Sequence, residues 1–313
     1  MARKPATQDP LPEVIEPDEE ELEADEALDE GGAEDKPGRQ FITALARGLD
    51  VLRAFRVKDL PLSNQELARR TGLPRPTISR ITYTLTELGF LNYHERFGCY
   101  ELGGGALVLG HVARSNFDTI EKVRPAMMRM AEKSGANVGF GTRDRLNMIY
   151  LETCQGPSRV GLRLEVGSRI PIISTAMGRA YLAAASEEDL RPLLAQLRRK
   201  YRDNVDEVTQ SVEMARGEIN RYGFCISAGD WQDDIHGIAV PISAPELGGV
   251  FVVNCGGPSY LLPKRQLINE VGPALVETAQ EIATVLGASQ NSLETRGDAG
   301  TGHRRARRAR AAP

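Results

Sequence analysis

Arg75, Thr77, Ser79, Arg80 and Tyr83 fall within the short stretch "RPTISRITY". A guanidinium can grip a phosphate or the edge of a guanine, and hydroxyls reach phosphates or base edges. That is binding chemistry rather than bond-making chemistry. Side chains suited to bond-making are scattered. Cys99, Cys154, Cys225 and Cys255 form no Cys-x-x-Cys pair, and the four histidines are equally dispersed, so no metal site is expected. No Gly-x-Ser-x-Gly, phosphate loop or zinc signature occurs. Cys154 or Cys225 as a lone nucleophile is the enzyme alternative. No motif sets a histidine beside either, and both read as reduced, small hydrophobes.

The elements around the basic stretch suit a surface that grips DNA. "FITALARGLDVLRAF" carries Ile42, Leu45, Leu49, Leu52 and Phe55 at helical spacing. "SNQELARRTG" begins with Ser63 and Glu66 at capping-box spacing and ends at Gly72, whose freedom at positive φ suits a helix stop. Pro74 and Pro76 fit the first turn of the next helix, where backbone N–H groups lack partners anyway. Ile78, Ile81, Leu85 and Leu88 form its inward stripe. Arg75, Pro76, Thr77, Ser79, Arg80 and Tyr83 then lie on or beside the outward face. Two helices around a tight glycine turn make a helix-turn-helix. "GFLNYHERFGCYEL" adds two short strands around "ERFG", a wing with Arg96 at its tip. Arg96 there reaches DNA backbone or minor groove, or stays a free surface charge. "GGGALVLGHVARSN" follows as a linker helix.

Charge is segregated along the 313 residues. Residues 13–35 hold 13 acidic residues and no basic one, a composition that cannot bury enough apolar surface to fold. Residues 39–100 hold ten Lys/Arg against five Asp/Glu, and the C-terminus ends in "GHRRARRARAAP". The net charge of −4 therefore conceals a local basic region. No apolar run reaches membrane-spanning length, and the N-terminus lacks the apolar stretch of a secretory signal, so a cytoplasmic protein without membrane contact is expected.

From about Ile120 strands and helices mix without βαβ alternation. An amphipathic helix ends at Gly135, and a hairpin turns at "RDRL". A further strand region spans "RVGLRLEVGSRIPI". "STAMGRAYLAAAS" starts a helix capped by Ser174 or Thr175. Two further helices follow, then the buried hairpin "GIAVPISAPELGGVFVVNCGGP" and a closing helix. An α+β class with a largely antiparallel sheet follows.

The order of these features resembles the isocitrate lyase regulator (IclR) family of bacterial transcription factors. The carriers are "LARGLDVLRAF", "LSNQELARRTGLPRPTISRITYTLTELGFL", "YELGGGALVLG", "PIISTAMGRAYLAA", "GIAVPI" and "NCGGP", spread over roughly residues 41 to 289. The resemblance implies a two-domain chain. A disordered acidic arm spans 1–40, a winged helix-turn-helix 41–103, a linker helix 104–119, a GAF-like effector-binding domain 120–289 and a disordered basic tail 290–313. It further implies a homodimer or homotetramer on a palindromic double-stranded DNA operator, no cofactor, and an organic-acid effector.

By position, the resemblance assigns the effector pocket to Ala176, Met177, Asp230, Gly237, Asn254 and Gly256. Backbone N–H groups at the start of the Ala176 helix suit a carboxylate. Relatives that bind very small oxo-acids present serines near positions 254 and 256. Here Asn254 and Gly256 stand there, and Met177 and Trp231 add apolar bulk, which points to a larger, aromatic acid. The second non-enzyme alternative is a ligand-sensing scaffold whose helix-turn-helix contacts proteins; the Arg75 and Arg80 face argues against it.

Overall fold

The computed structural model describes residues 41–57, 59–116, 118–157, 164–201 and 205–287. The acidic arm, the basic tail and part of the "RVGLRLEVGSRIPI" region lie outside the described residues. Helix α1 (Thr43–Arg53) leads through strand β1 (Leu62–Ser63) into α2 (Asn64–Thr71) and α3 (Arg75–Glu87). Ser63 Oγ accepts from the Glu66 amide at 3.2 Å, one half of the capping box. The Glu66 carboxylate turns instead to Arg69 and Arg70, and the Arg69 hydrogen bond leads in holding its pKa down to about 2. Gly72 closes α2 at φ 68°.

Val51 from α1, Leu67 from α2 and Ile78 from α3 are fully buried together as the core of this unit. The inward stripe of α3 departs from expectation at one end. Ile78 is buried, and Ile81 and Leu85 pack partly against the core, but Leu88 is 63% exposed. Leu88 is the C-cap of a helix that stops at Glu87, so it leaves the packed surface. The buried position between is Thr82, whose hydroxyl donates to the Ile78 carbonyl at 3.0 Å and lies 3.2 Å from Asn64 Oδ1. Strands β2 (Leu91–His94) and β3 (Cys99–Leu102) form the wing, and β1 completes an antiparallel sheet in the order β1-β3-β2.

Helices α4 (Gly104–Asn116) and α5 (Asp118–Ser134) lead to a six-stranded sheet. Its strands are β4 (Asn137–Asp144), β5 (Asn147–Cys154), β6 (Arg169–Pro171), β7 (Cys225–Ala228), β8 (Ile235–Ala244) and β9 (Gly249–Pro258). Their spatial order is β6-β5-β4-β9-β8-β7, antiparallel at every pairing. One face packs on α5 and the closing helix α9 (Gly272–Val285), burying Met127, Leu275 and Ile282 with Val138 and Val253. The other packs on α6 (Ala176–Ala184), α7 (Glu187–Lys200) and α8 (Val205–Tyr222), burying Leu182, Leu190 and Val212 with Met148 and Val252. Helices on both faces of an antiparallel sheet, joined to a winged helix, give the expected α+β architecture.

A bulge in β5 serves both faces. Phe140 opposes Glu152 while Gly141 opposes Tyr150, leaving Leu151 as the extra residue. Tyr150 therefore packs on the α6 side. Glu152, 2% exposed, receives Arg124 of α5 at 2.6 Å and Arg114 of α4 at 3.1 Å. The linker helix is thus tied to the sheet by a buried carboxylate. Among the described residues, no helix is long and apolar enough to cross a membrane.

Candidate nucleic-acid interface and ligand pocket

On α3, packing of Ile78 and Thr82 against α1 and α2 turns the opposite side outward. Arg75, Pro76, Ser79, Arg80 and Tyr83 are exposed there, and Thr77 is half-buried at the edge. Among the described residues, Arg75 and Arg80 have no acidic partner, whereas Arg69 and Arg70 of α2 are committed to Glu66. Arg96 sits exposed at the wing tip, its guanidinium 5.5 Å from the centre of the Phe97 ring. The unpaired guanidiniums are therefore the ones that DNA phosphates or guanine edges could take up.

The second site forms where the chain turns from β6 into α6. Thr175 is the N-cap, and its Oγ1 accepts from the Gly178 amide at 3.1 Å and donates to the Pro171 carbonyl at 2.6 Å. Gly178 is required by this turn, since a Cβ there would stand 2.0 Å from the Ile172 carbonyl oxygen. The first two helical N–H groups, on Ala176 and Met177, have no intrahelical acceptor. Ala176 and Met177 line a small pocket with Tyr150, Ile170, Trp231 and Ile235, and with Asn254, His236 and the paired Gly237 and Gly256. Among the described residues, no carboxylate lines it.

Most polar side chains of the wall are already engaged. Ser227 Oγ donates to the Ser174 carbonyl at 3.0 Å, and His236 Nδ1 lies 2.9 Å from the Leu262 carbonyl, so that nitrogen carries the proton. Asn254 Nδ2 donates to the Tyr150 hydroxyl at 3.0 Å, leaving Asn254 Oδ1 buried without a partner among the described residues. Burial pushes the Tyr150 hydroxyl well above its ordinary pKa and keeps it a neutral donor. The water-accessible space is about 30 Å³, room for roughly two waters. A larger acid enters only if a wall moves.

Five of the six pocket residues named from the sequence line this space: Ala176, Met177, Gly237, Asn254 and Gly256. Asp230 does not. Its carboxylate pairs with Arg179 at 3.0 Å and accepts from the Ala228 amide at 3.2 Å. Arg179, 6% exposed, also donates to the carbonyls of Ile226 and Ile173. This pair fastens the loop carrying Trp231 to α6. Sequence reasoning misses Tyr150, Ile170, Ser227, Ile235 and His236, whose only local signal is strand alternation. Burial pushes up the thiols of Cys154 and Cys225, the candidate nucleophiles, and likewise that of Cys255, to about 11, which disfavours the thiolate form. Among the described residues, no cluster of metal-ligating side chains occurs.

Residues 44–95 match the family described as IclR helix-turn-helix domain, and residues 111–284 match Bacterial transcriptional regulator IclR C-terminal. The chain is 32% identical over 255 residues to HTH-type transcriptional regulator TsaQ1/TsaQ2 of Comamonas testosteroni, covering 81% of this chain and 91% of that one. A crystal structure of an IclR family transcriptional regulator from Brucella abortus shares 38% identity at a TM-score of 0.72, covering 82% and 97% of the two chains. An IclR homolog complexed with 4-hydroxybenzoate, from Microbacterium hydrocarbonoxydans, shares the fold at a TM-score of 0.61 and 21% identity, over 78% and 99%.

Proposed function

This chain belongs to the IclR family of bacterial transcriptional regulators, and on that premise we propose that it controls a catabolic or transport operon in response to a small organic acid. One observation carries the acid: the first two residues of α6, Ala176 and Met177, line a pocket with apolar walls and, among the described residues, no carboxylate, and the N–H groups of a helix's first turn are free to take an anion. A carboxylate accepts from both amides and from the positive end of the α6 dipole. The apolar walls from Ile170, Met177 and Trp231 suit an aromatic body. The 4-hydroxybenzoate complex of the Microbacterium homolog supports an aromatic acid here.

Arg75, Pro76, Thr77, Ser79, Arg80 and Tyr83 enter the major groove in this reading, and Arg96 holds the flanking backbone. The protein acts in the cytoplasm as a homodimer or homotetramer. Two apolar faces support association: Phe41, Ile42, Leu45 and Leu49 of the α1 region, and Leu107, Val108, Leu109 and Val112 of α4, all exposed. A scaffold that used α3 for protein contacts would have little use for unpaired Arg75 and Arg80, and filter binding to random duplex DNA separates the two readings.

The direct test is calorimetry with 4-hydroxybenzoate, benzoate and glyoxylate, followed by gel shifts on protected genomic DNA fragments. Binding of an aromatic acid that changes operator affinity is expected. An absence of binding by all three, with operator affinity unmoved, would sink the acid reading while leaving the DNA-binding role in place.

A further inference from the structure

Helix α1 of the winged-helix unit meets the β4–β5 turn of the sheet domain through charges. Arg53 Nη2 donates to Asp144 Oδ1 at 2.5 Å, and Asp50 pairs with Arg145. Asp50 and Arg53 lie three residues apart, on one face of α1. Asp144 and Arg145 are consecutive at the turn. Both elements present an acid and then a base, and the pairs cross. Sliding or reversing α1 against the turn would bring like charges together, so the pattern selects one register.

Arg169, at the start of β6, adds a third leg. Its Nε donates to Asp144 Oδ2 at 3.1 Å, and its Nη1 reaches the Arg53 carbonyl at 3.5 Å. That carbonyl lies at the C-terminal end of α1, where acceptors lack helical donors and a cation is favoured. The side chains of Asp144 and Arg169 are only 15% and 20% exposed, so this leg is shielded better than an ordinary surface pair.

A separate observation marks the turn. Arg145, at φ 55°, is the one non-glycine with positive φ among the described residues. Such a conformation persists where the surroundings over-determine it. Each end of the contact also reaches a working part of the protein. Val51 of α1 packs in one core with Ile78 of α3. Ile170, next to Arg169, lines the pocket.

We propose that Asp50, Arg53, Asp144, Arg145 and Arg169 form an ionic strut that sets the angle of the winged helix against the sheet domain within one chain, separately from the linker helix α4. α1 is held by the strut and α3 is held by α1, so the strut orients the surface offered to DNA. The inference rests on the DNA-binding role of the family and requires nothing of the pocket or its ligand.

The angle can be read by electron–electron distance measurement on the full chain. Cys99 is the one cysteine that is not buried, and it lies on the wing. A second label goes on Glu188→Cys, an exposed position of α7. Doubly labelled chains are diluted into unlabelled protein, so that only distances within one chain are seen. The parent should give one narrow distance. Asp144→Arg sets a third cation beside Arg53 and Arg169, and Arg145→Asp sets two acids together; each should broaden or shift it. Asp50→Arg combined with Arg145→Asp should restore the narrow peak. The parent, and the rescued double variant with it, should broaden as salt rises to about 1 M, where the Debye length is about 3 Å. A distance that stays narrow and unmoved in both single variants, a double variant no better than Arg145→Asp, or a parent peak indifferent to salt would each overturn the strut. Circular dichroism on every variant separates loss of the strut from loss of the fold.

Discussion

The side-chain amide of Asn254 donates to the Tyr150 hydroxyl at 3.0 Å, joining β9 to β5 over the strand between them. The bond exists because position 139 of β4 is glycine: a Cβ there would stand 2.1 Å from Tyr150 Cε1 and 2.6 Å from Asn254 Oδ1. It leaves the Tyr150 proton and the buried Asn254 Oδ1 without protein partners among the described residues. A pocket with one donor and one acceptor in reserve can satisfy them with a ligand or water.

Removing the Tyr150 hydroxyl should change the alkaline stability of the protein. Burial raises its folded pKa, whereas the unfolded tyrosine ionises near 10. The folded chain thus keeps a proton that the unfolded chain loses. Stability falls as pH rises past about 10, by about 1.4 kcal/mol per pH unit until the folded state also ionises. Cys225 and Cys255, pushed up by burial, add slope of the same sign from about pH 8.5. Tyr150→Phe should cost about 1 kcal/mol at neutral pH, from the lost bond to Asn254. It should also flatten the fall above pH 10. Urea midpoints across that range are the measurement, and equal slopes for parent and variant would show that Tyr150 ionises freely in the folded protein.

Filling the pocket should separate its function from that of the winged helix. Gly237 can take a side chain, because a Cβ there would meet only the Cys255 oxygen at 3.5 Å and Gly256 Cα at 3.8 Å, and its φ is not positive. Gly256 is tighter, with a Cβ 3.3 Å from the His236 oxygen. The Cβ of Gly237→Leu thus has room, and the rest of its side chain must fill the small space opposite Ala176; in the variant shown to be folded by circular dichroism, binding of an aromatic carboxylate should weaken at least about tenfold, a loss of about 1.4 kcal/mol. Operator affinity without ligand should be unchanged. Calorimetry showing parental affinity in folded Gly237→Leu would place the ligand elsewhere.

How much of this is legible in the sequence depends on the distance over which each feature is set. The winged helix reads well because its signals are local: the Ser63 cap, the Gly72 stop, the prolines before Ile78 and the inward stripe of α3. One misreading there, Leu88 for Thr82, arises because the Thr82 hydroxyl is satisfied by the Ile78 carbonyl one turn back, so that a polar residue can be buried on the inward stripe, while Leu88 falls at the C-cap where the helix leaves the packed surface. In the pocket, Ala176 and Asn254 follow from resemblance. Tyr150 does not, because its place depends on the order β5-β4-β9 and on a bulge at Leu151, neither of which is written in the alternation of β5. Arg179 stands within the "STAMGRA" motif, but its partner Asp230 comes 51 residues later, and only the fold shows that the carboxylate is engaged there rather than at the pocket wall.

The outward face of α3 predicts a graded response to substitution. Arg80 is exposed and without an acidic partner among the described residues, so Arg80→Ala leaves no buried group unsatisfied and should keep the parental melting temperature. A lost base-edge contact costs about 1–3 kcal/mol of operator affinity. Arg96→Ala at the wing tip should weaken operator and random duplex alike and lower the salt slope by about one unit, as expected for a phosphate contact. Gel-shift titrations at several salt concentrations distinguish the two; Arg80→Ala with undiminished operator affinity would reassign the recognition face.

The exposed apolar side of the linker helix predicts the assembly state. Val108 and Val112 are four residues apart on α4 and are 60% and 48% exposed, with Leu109 beside them at 58%. α4 is fixed to the sheet domain through Arg114 and Glu152, so this apolar side is presented rigidly. A second copy of α4 would bury it symmetrically. Val108→Glu with Val112→Glu sets acids into that contact, where burying an unpaired carboxylate is strongly unfavourable. The folded variant should sediment with a smaller mass than the parent. Its operator affinity should fall by roughly 10²–10⁴-fold, because the second half-site is no longer held at high effective concentration. Leu88→Glu, an equally exposed apolar residue on the winged helix, serves as control and should leave the mass unchanged. Should Val108→Glu/Val112→Glu keep the parental mass at micromolar concentration, the contact between copies lies elsewhere, and the α1 face of Ile42, Leu45 and Leu49 becomes the next surface to charge.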